Sequence, residues 1–210
     1  MTMLWKWSSG VCVLVGLLLT ACASLPGALP ALAVHDLGRL DSALPASGRT
    51  ADWTPRAIEV VPAPWLVGNG MTYRLIYAQP TRRHLFQESR WVAPPAQLVE
   101  LILGRALTGG RGACRLRVDL DEFIQVFDAP ADSRGVVEAR AWLLAPLTEE
   151  VLARRAFHLE VPARTPDAPG GVLALREAVI QLHHELSGWL ETQDQAEAPG
   201  AGSPRVRCRP

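Results

Sequence analysis

The sequence predicts one α/β domain, with helices packed on a mixed β-sheet. Three observations carry this prediction. Several segments alternate apolar and polar residues with a period of two, the pattern of a half-buried strand. Two longer segments step their apolar residues by three and four, the pattern of a helix with one buried face. The strand and helix patterns intermingle along the chain, and no internal repeat divides it.

The segments are preceded by a leader. Lys6 and the free amine supply positive charge, and residues 11–19 form an apolar run. As a helix that run is about 14 Å long, against a hydrocarbon core of about 30 Å. A basic start, a short apolar centre and small residues before a cleavage point make a secretory signal rather than a membrane span. The run closes on Leu19-Thr20-Ala21-Cys22, which resembles the bacterial lipobox. The resemblance implies that the Cys22 thiol receives a diacylglyceryl group and that cleavage before it makes Cys22 the first mature residue. Each buried CH₂ contributes about 0.8 kcal/mol, so two or three acyl chains on one residue hold a protein permanently. Ala23 follows, and the absence of Asp there favours the outer membrane by resemblance to enterobacterial sorting. The expected organisation is a signal peptide over 1–21, a lipidated tether over 22–31, the domain over 32–191 and a poorly ordered tail over 192–210.

Within the domain, residues 34–38 give a short strand, and a loop rich in Ser, Ala, Pro and Gly follows. Residues 56–61 give a strand with Ile58 and Val60 on one face. Residues 65–67 and 71–77 flank Gly68-Asn69-Gly70, a hairpin signal because Asn-Gly tolerates positive φ. Residues 90–94 read as a loop leading into a helix, with Pro94 and Pro95 suited to its first turn. Leu98, Val99, Leu101, Ile102, Leu103, Ala106 and Leu107 leave that helix only a narrow polar edge, so it should be largely buried. Gly109-Gly110 would end it. Cys114, Leu116, Val118 and Leu120 alternate with charged residues as a strand. Phe123 and Phe127 fall on the other parity, which calls for a bulge near Glu122. Residues 135–145 and 153–161 supply two more strands. A last helix over about 171–190 carries an apolar seam through Val172, Leu175, Val179, Leu182, Leu186 and Trp189. From 192 onward Ala, Gly, Pro and Arg predict poor order.

Charge and motifs exclude several functions. The chain has 21 basic and 21 acidic side chains. Lys6 is its only lysine, so the mature form has a net charge of −1, with no sign of a nucleic-acid-binding face. No G-x-S-x-G elbow, H-E-x-x-H helix or glycine-rich phosphate loop occurs, so the sequence points to no enzyme, no cofactor and no metal. His183 and His184 are neighbours on a helix and point about 100° apart, which suits a solvated edge better than a shared metal. His84 and Glu88 have helical spacing in a segment without a helical pattern. His158 reads as the outer face of a strand. Asp119, Asp121 and Glu122 lack the spacing of a calcium loop and read as ordinary outward carboxylates. With Cys12 in the leader and Cys22 acylated, Cys114 and Cys208 remain. In an oxidising compartment they form either a disulfide, tying the tail to a central strand, or two unrelated thiols.

The residues "VHDLG", "VVPAPWLVGNGMTYRL", "SRWVAPPAQLVELILGRAL", "LRVDLDEFIQVFDAPADSRGVVEARAWL" and "RAFHLEVPA", in this order and behind a lipobox, resemble the ABC-type transport auxiliary lipoprotein family (PqiC-like). The resemblance covers about residues 33–190. His35 stands where an aromatic is expected, and the tail lies outside the pattern. The resemblance implies a three-layer α/β domain. It also implies a non-catalytic role beside an ABC transporter whose mammalian-cell-entry (MCE) domain proteins cross the periplasm, the lipoprotein docking the MCE assembly at the outer membrane.

A domain of this size has a radius of gyration near 15 Å, and the nine residues 23–31 reach at most about 30 Å. Such a body cannot bridge two membranes alone, so its expected partners are an MCE-domain protein and a membrane held through the lipid anchor. The sequence leaves the oligomeric state open, a homo-oligomer included. Trp65, Leu66 and Met71 at the expected hairpin, with Arg90 and Trp91 in the following loop, are candidate partner contacts; the two tryptophans could equally plug the edge of the core. The alternative function is a stand-alone periplasmic lipoprotein that binds lipid or cell-wall material.

Overall fold

The computed structural model describes residues 31–40, 44, 55–107, 112–195 and 203–209. Cys22 and the leader lie outside them, as do Gly109 and Gly110. The chain divides into residues 1–31 and a body from Leu32 to Pro210.

Seven strands form one sheet: β1 (Ala33–His35), β2 (Ala57–Pro62), β3 (Gly70–Leu75), β4 (Gln79–Trp91), β5 (Arg115–Ala129), β6 (Asp132–Leu144) and β7 (Val151–Pro162). The described residues also form two long helices, α1 (Pro95–Leu107) and α2 (Ala168–Gln195), and a short α3 (Pro204–Arg207). The strand order is β1-β4-β3-β5-β6-β7, with β2 also paired to β5. Strands β1 on β4, and β2 and β3 on β5, run parallel, and the other pairs are antiparallel. The sheet is therefore mixed.

Strand β5 organises the rest. Leu116, Val118 and Leu120 face the helices and are buried. The register with β6 shifts between Leu120 and Glu122, at the predicted bulge, and moves Phe123 onto the same buried face. Seams of α1 (Leu98, Val99, Leu103) and α2 (Leu175, Val179, Leu182, Leu186) join one apolar core with them. Helix α1 also closes the outer edge of β2, where Glu100 Oε2 accepts the Val60 N–H at 2.8 Å. One expectation fails on α1, whose Leu101 faces solvent.

Both long helices lie on this one face. Among the described residues no helix packs on the other face. Ile124, Val126 and Val136 form a small separate cluster there. Val126 sits between Arg74 of β3 and Arg134 of β6 in register, whose guanidiniums pair with Glu122 and with Asp128 and Glu160 respectively.

The expected hairpin at Gly68-Asn69-Gly70 does not form. Pro62 and Pro64 offer no N–H for an antiparallel ladder, and Pro64–Leu66 turn as a 3₁₀ helix. Strands β2 and β3 lie end to end along β5 instead, β2 beside residues 115–120 and β3 beside residues 125–127. The chain reverses one strand later, between β3 and β4. The tail also departs from expectation. Helix α2 continues to Gln195, and Ser203–Arg209 lie against the body, with Cys208 buried.

Candidate interaction surface

The β2–β3 connection crosses β5 at its bulge. Asp121 has no partner there in the β6 register, and its carbonyl accepts the Trp65 indole N–H at 3.2 Å. This bond turns the indole outward on the helix-free face, where Trp65 is 56% exposed. The Arg83 guanidinium of β4 stacks over the ring at 5.4 Å. Arg83 also holds the Glu122 carboxylate through both terminal nitrogens, and Arg74 Nη2 reaches the same group at 3.4 Å. Glu122 is 8% exposed, so three strands are clamped around one nearly buried charge.

Leu85 stands opposite Thr72, and Arg90 stands opposite Gly70; residues opposed across an antiparallel pair share a face. Leu85 packs directly over Gly70, where a Cβ would meet Leu85 Cδ2 at 2.7 Å and push the leucine tip aside. Trp65, Leu85 and Arg90 thus point to the same side of the sheet around Gly70, and exposed Val67 extends the connection.

The five candidate contacts divide. Trp65 and Arg90 are exposed, whereas Leu66 (3%), Met71 (2%) and Trp91 (1%) belong to the core. Trp91 packs edge-on to Phe123 with centroids 5.5 Å apart, and its backbone N–H donates to Asn69 O at 2.8 Å. The core-edge alternative, which concerned the two tryptophans, holds for Trp91 and fails for Trp65, while Leu66 and Met71 are core residues rather than contacts. Val67 and Leu85 were missed by the sequence reading. Leu85 belongs to β4, whose polar composition hides the strand on which its position would have been legible.

The family model for the ABC-type transport auxiliary lipoprotein component matches residues 39–187. The chain belongs to this family. Among solved structures, protein XCC0632 from Xanthomonas campestris is 20% identical, with a TM-score of 0.58 over 69% of this chain and 92% of that one. An uncharacterised protein of known crystal structure is 16% identical, with a TM-score of 0.59 over 76% and 99% of the two chains. At such identities the likeness is one of fold alone. No curated protein matches the chain.

In this auxiliary lipoprotein the remaining polar candidates pair locally. Asp119 accepts from Arg117 Nε at 2.7 Å and from the Trp142 indole at 3.0 Å, and Asp121 takes both Arg140 donors at 2.7 Å. These contacts hold the Arg117 and Arg140 guanidiniums above their ordinary pKa, first through the carboxylate hydrogen bonds and then through charge. His158 lies on the outer face of β7, with Nδ1 3.0 Å from Glu138 and Nε2 3.1 Å from Glu160. His84 is in a strand, stacked on Tyr73 at 5.0 Å. His183 is buried rather than on a solvated edge. No three metal-ligating side chains converge among the described residues. The Cys114 and Cys208 sulfurs are bonded at 2.08 Å. No described helix is long and apolar enough to cross a membrane.

Proposed function

We propose that this chain is a lipid-anchored, non-catalytic periplasmic subunit of an ABC transport system of the MCE type, docking the MCE assembly at the outer membrane. The family match over residues 39–187 carries the reading. The exposed Trp65, Val67, Leu85 and Arg90 on the helix-free face support it with a surface for the partner: aromatic and aliphatic anchors beside a cation suit a protein interface. Membrane attachment falls to acyl chains on Cys22.

The test is affinity purification of the full chain from cross-linked bacterial membranes. An MCE-domain protein should be recovered, and Trp65→Ala combined with Leu85→Asp should reduce recovery at least tenfold while leaving the melting temperature within a few degrees. Recovery of no MCE-domain protein overturns the docking role. Intact mass spectrometry should find the mature chain starting at acylated Cys22, and Cys22→Ser should release it from membranes. An unmodified, freely diffusing wild-type chain would remove the anchor from the proposal.

The alternative, lipid binding by the domain itself, is favoured by one observation. A groove of about 490 Å³ lies between residues 36–40 with Leu44 and α1.

A further inference from the structure

Among the described residues, the sheet edges are guarded except one. Strand β1 has three residues and covers β4 only at 89–91, and the register along the rest of β4 shifts between Gly70 and Thr72 and between Tyr73 and Leu75. Helix α1 closes β2 through Glu100. Strand β7 ends the strand order with no neighbour beyond it. Its register with β6 runs unbroken from Ala153 to Pro162, and no proline interrupts it before that last position. Short, bulged or covered edges resist pairing with another chain, whereas a long regular edge invites it.

The phase of the ladder tells which main-chain groups are free. Ala163 N donates to Ser133 O at 2.8 Å, which makes this a bonded position, and bonded and non-bonded pairs alternate along an antiparallel ladder. Val161, Leu159, Phe157 and Arg155 therefore turn their N–H and C=O toward β6. Glu160, His158, Ala156 and Arg154 turn theirs outward. All four are exposed, and among the described residues nothing pairs with their main-chain groups. Their side chains share the helix-free face, because Phe157 and Leu159 point into the core. Arg155 pairs with Glu185 at 3.2 Å, whereas Arg154 makes no ion pair among the described residues. Charge of one sign along this edge would repel a second copy. Here the cation and the anion stand at opposite ends of the exposed run, so reversing the strand sets each against the other. Glu160 already meets Arg134 and His158, and a carboxylate has lone pairs for a further donor.

We propose that β7 pairs antiparallel with β7 of a second copy, about a twofold axis at Phe157. Arg154 then stands opposite Glu160 of the second copy, and Ala156 opposite its His158, each residue of a pair both donating and accepting. The same patch serves both copies, as a closed twofold interface requires. The two sheets become one, with the long helices on one side and both Trp65–Leu85 surfaces on the other. The inference depends on neither the anchor nor the docking role, and it doubles the surface offered to a partner.

The test extracts the full chain from bacterial membranes in mild detergent and weighs it by native mass spectrometry at micromolar concentration. Two chains per particle are expected. Arg154→Glu sets like charges opposite each other at both ends of the pairing and should weaken it at least tenfold. Adding Glu160→Arg reverses both charges and should restore the dimer. Ala156→Pro removes only an outward N–H, a change tolerated at an edge, and should give single chains with a melting temperature within a few degrees of wild type. Residue-resolved hydrogen exchange should find the amides of 154, 156, 158 and 160 slow in the wild type and fast in Arg154→Glu. A single-chain wild type overturns the proposal, as does a dimer whose four amides exchange fast or that survives Ala156→Pro. Recovery of a different polypeptide on β7 overturns it too. A dimer unmoved by Arg154→Glu, or not restored by the double variant, overturns the register. Cys22→Ser in the full chain should pair as the wild type does, so loss of the anchor and loss of the pairing are read separately.

Discussion

His183 of α2 is 3% exposed, and its Nδ1 has no hydrogen-bond partner. Burial, with a smaller push from His184, lowers its pKa from 6.5 to about 4. Below pH 6.5 the unfolded chain binds a proton that the folded chain refuses, so stability falls as pH drops toward 4 and is fully present above 6.5. The loss is on the order of 2–3 kcal/mol. His183→Leu should flatten the melting-temperature profile between pH 6.5 and pH 4, and an unchanged acid limb would refute the assignment. Sequence spacing placed this residue on a solvated helix edge, because adjacent histidines on a helix do not show which ring turns inward. The acids of β5 were more legible. Asp119 and Asp121 alternate with Leu116, Val118 and Leu120, so their outward direction follows from parity. Arg117, the partner of Asp119, lies two residues away on the same face, whereas Arg140, the partner of Asp121, comes from β6 and only the register supplies it.

Elements that bury one face were readable, and those that do not were missed. The burial of β5 and the phase change at Phe123 follow from the residue pattern, because the core forces the apolar parity. Strand β4 has no such signal, since 8 of its 13 residues are exposed and β1 pairs only with residues 89–91 at its outer edge. The Asn-Gly turn misled for a related reason. Turn chemistry is local, whereas whether the next strand pairs backward or lies along β5 is decided by what β5 leaves unpaired. Helix α2 gives the test at this scale. It crosses β6 at Gly135, where a Cβ would meet Leu175 N at 2.8 Å and the Ala174 carbonyl carbon at 2.9 Å. Backbone atoms cannot yield as a side-chain tip does, so Gly135→Ala must lift the helix. We expect a loss of about 1–3 kcal/mol in urea unfolding, and a neutral result would show that α2 shifts freely on the sheet.

For the whole molecule, one covalent link matters most. Cys114 and Cys208 are 94 residues apart in sequence, and in the chain-entropy model closing a loop of that length stabilises the fold by roughly 4–5 kcal/mol. The bond is reinforced by its surroundings, where Ala113 N donates to Cys208 O at 2.8 Å and Arg207 pairs with Glu150. Cys208→Ser with Cys114→Ala should lower the urea midpoint by the corresponding amount, and an unchanged midpoint would mean that packing alone holds the tail. The sequence supplied the pair of thiols but not their proximity, because it is the packing of Ser203–Arg209 that brings position 208 to the start of β5. The same feature orders events in time. Residue 208 is made 94 positions after residue 114, so the sulfur at the head of the central strand must wait for the whole intervening stretch before the bond can close. Any product truncated before that point leaves Cys114 without the sulfur it bonds to.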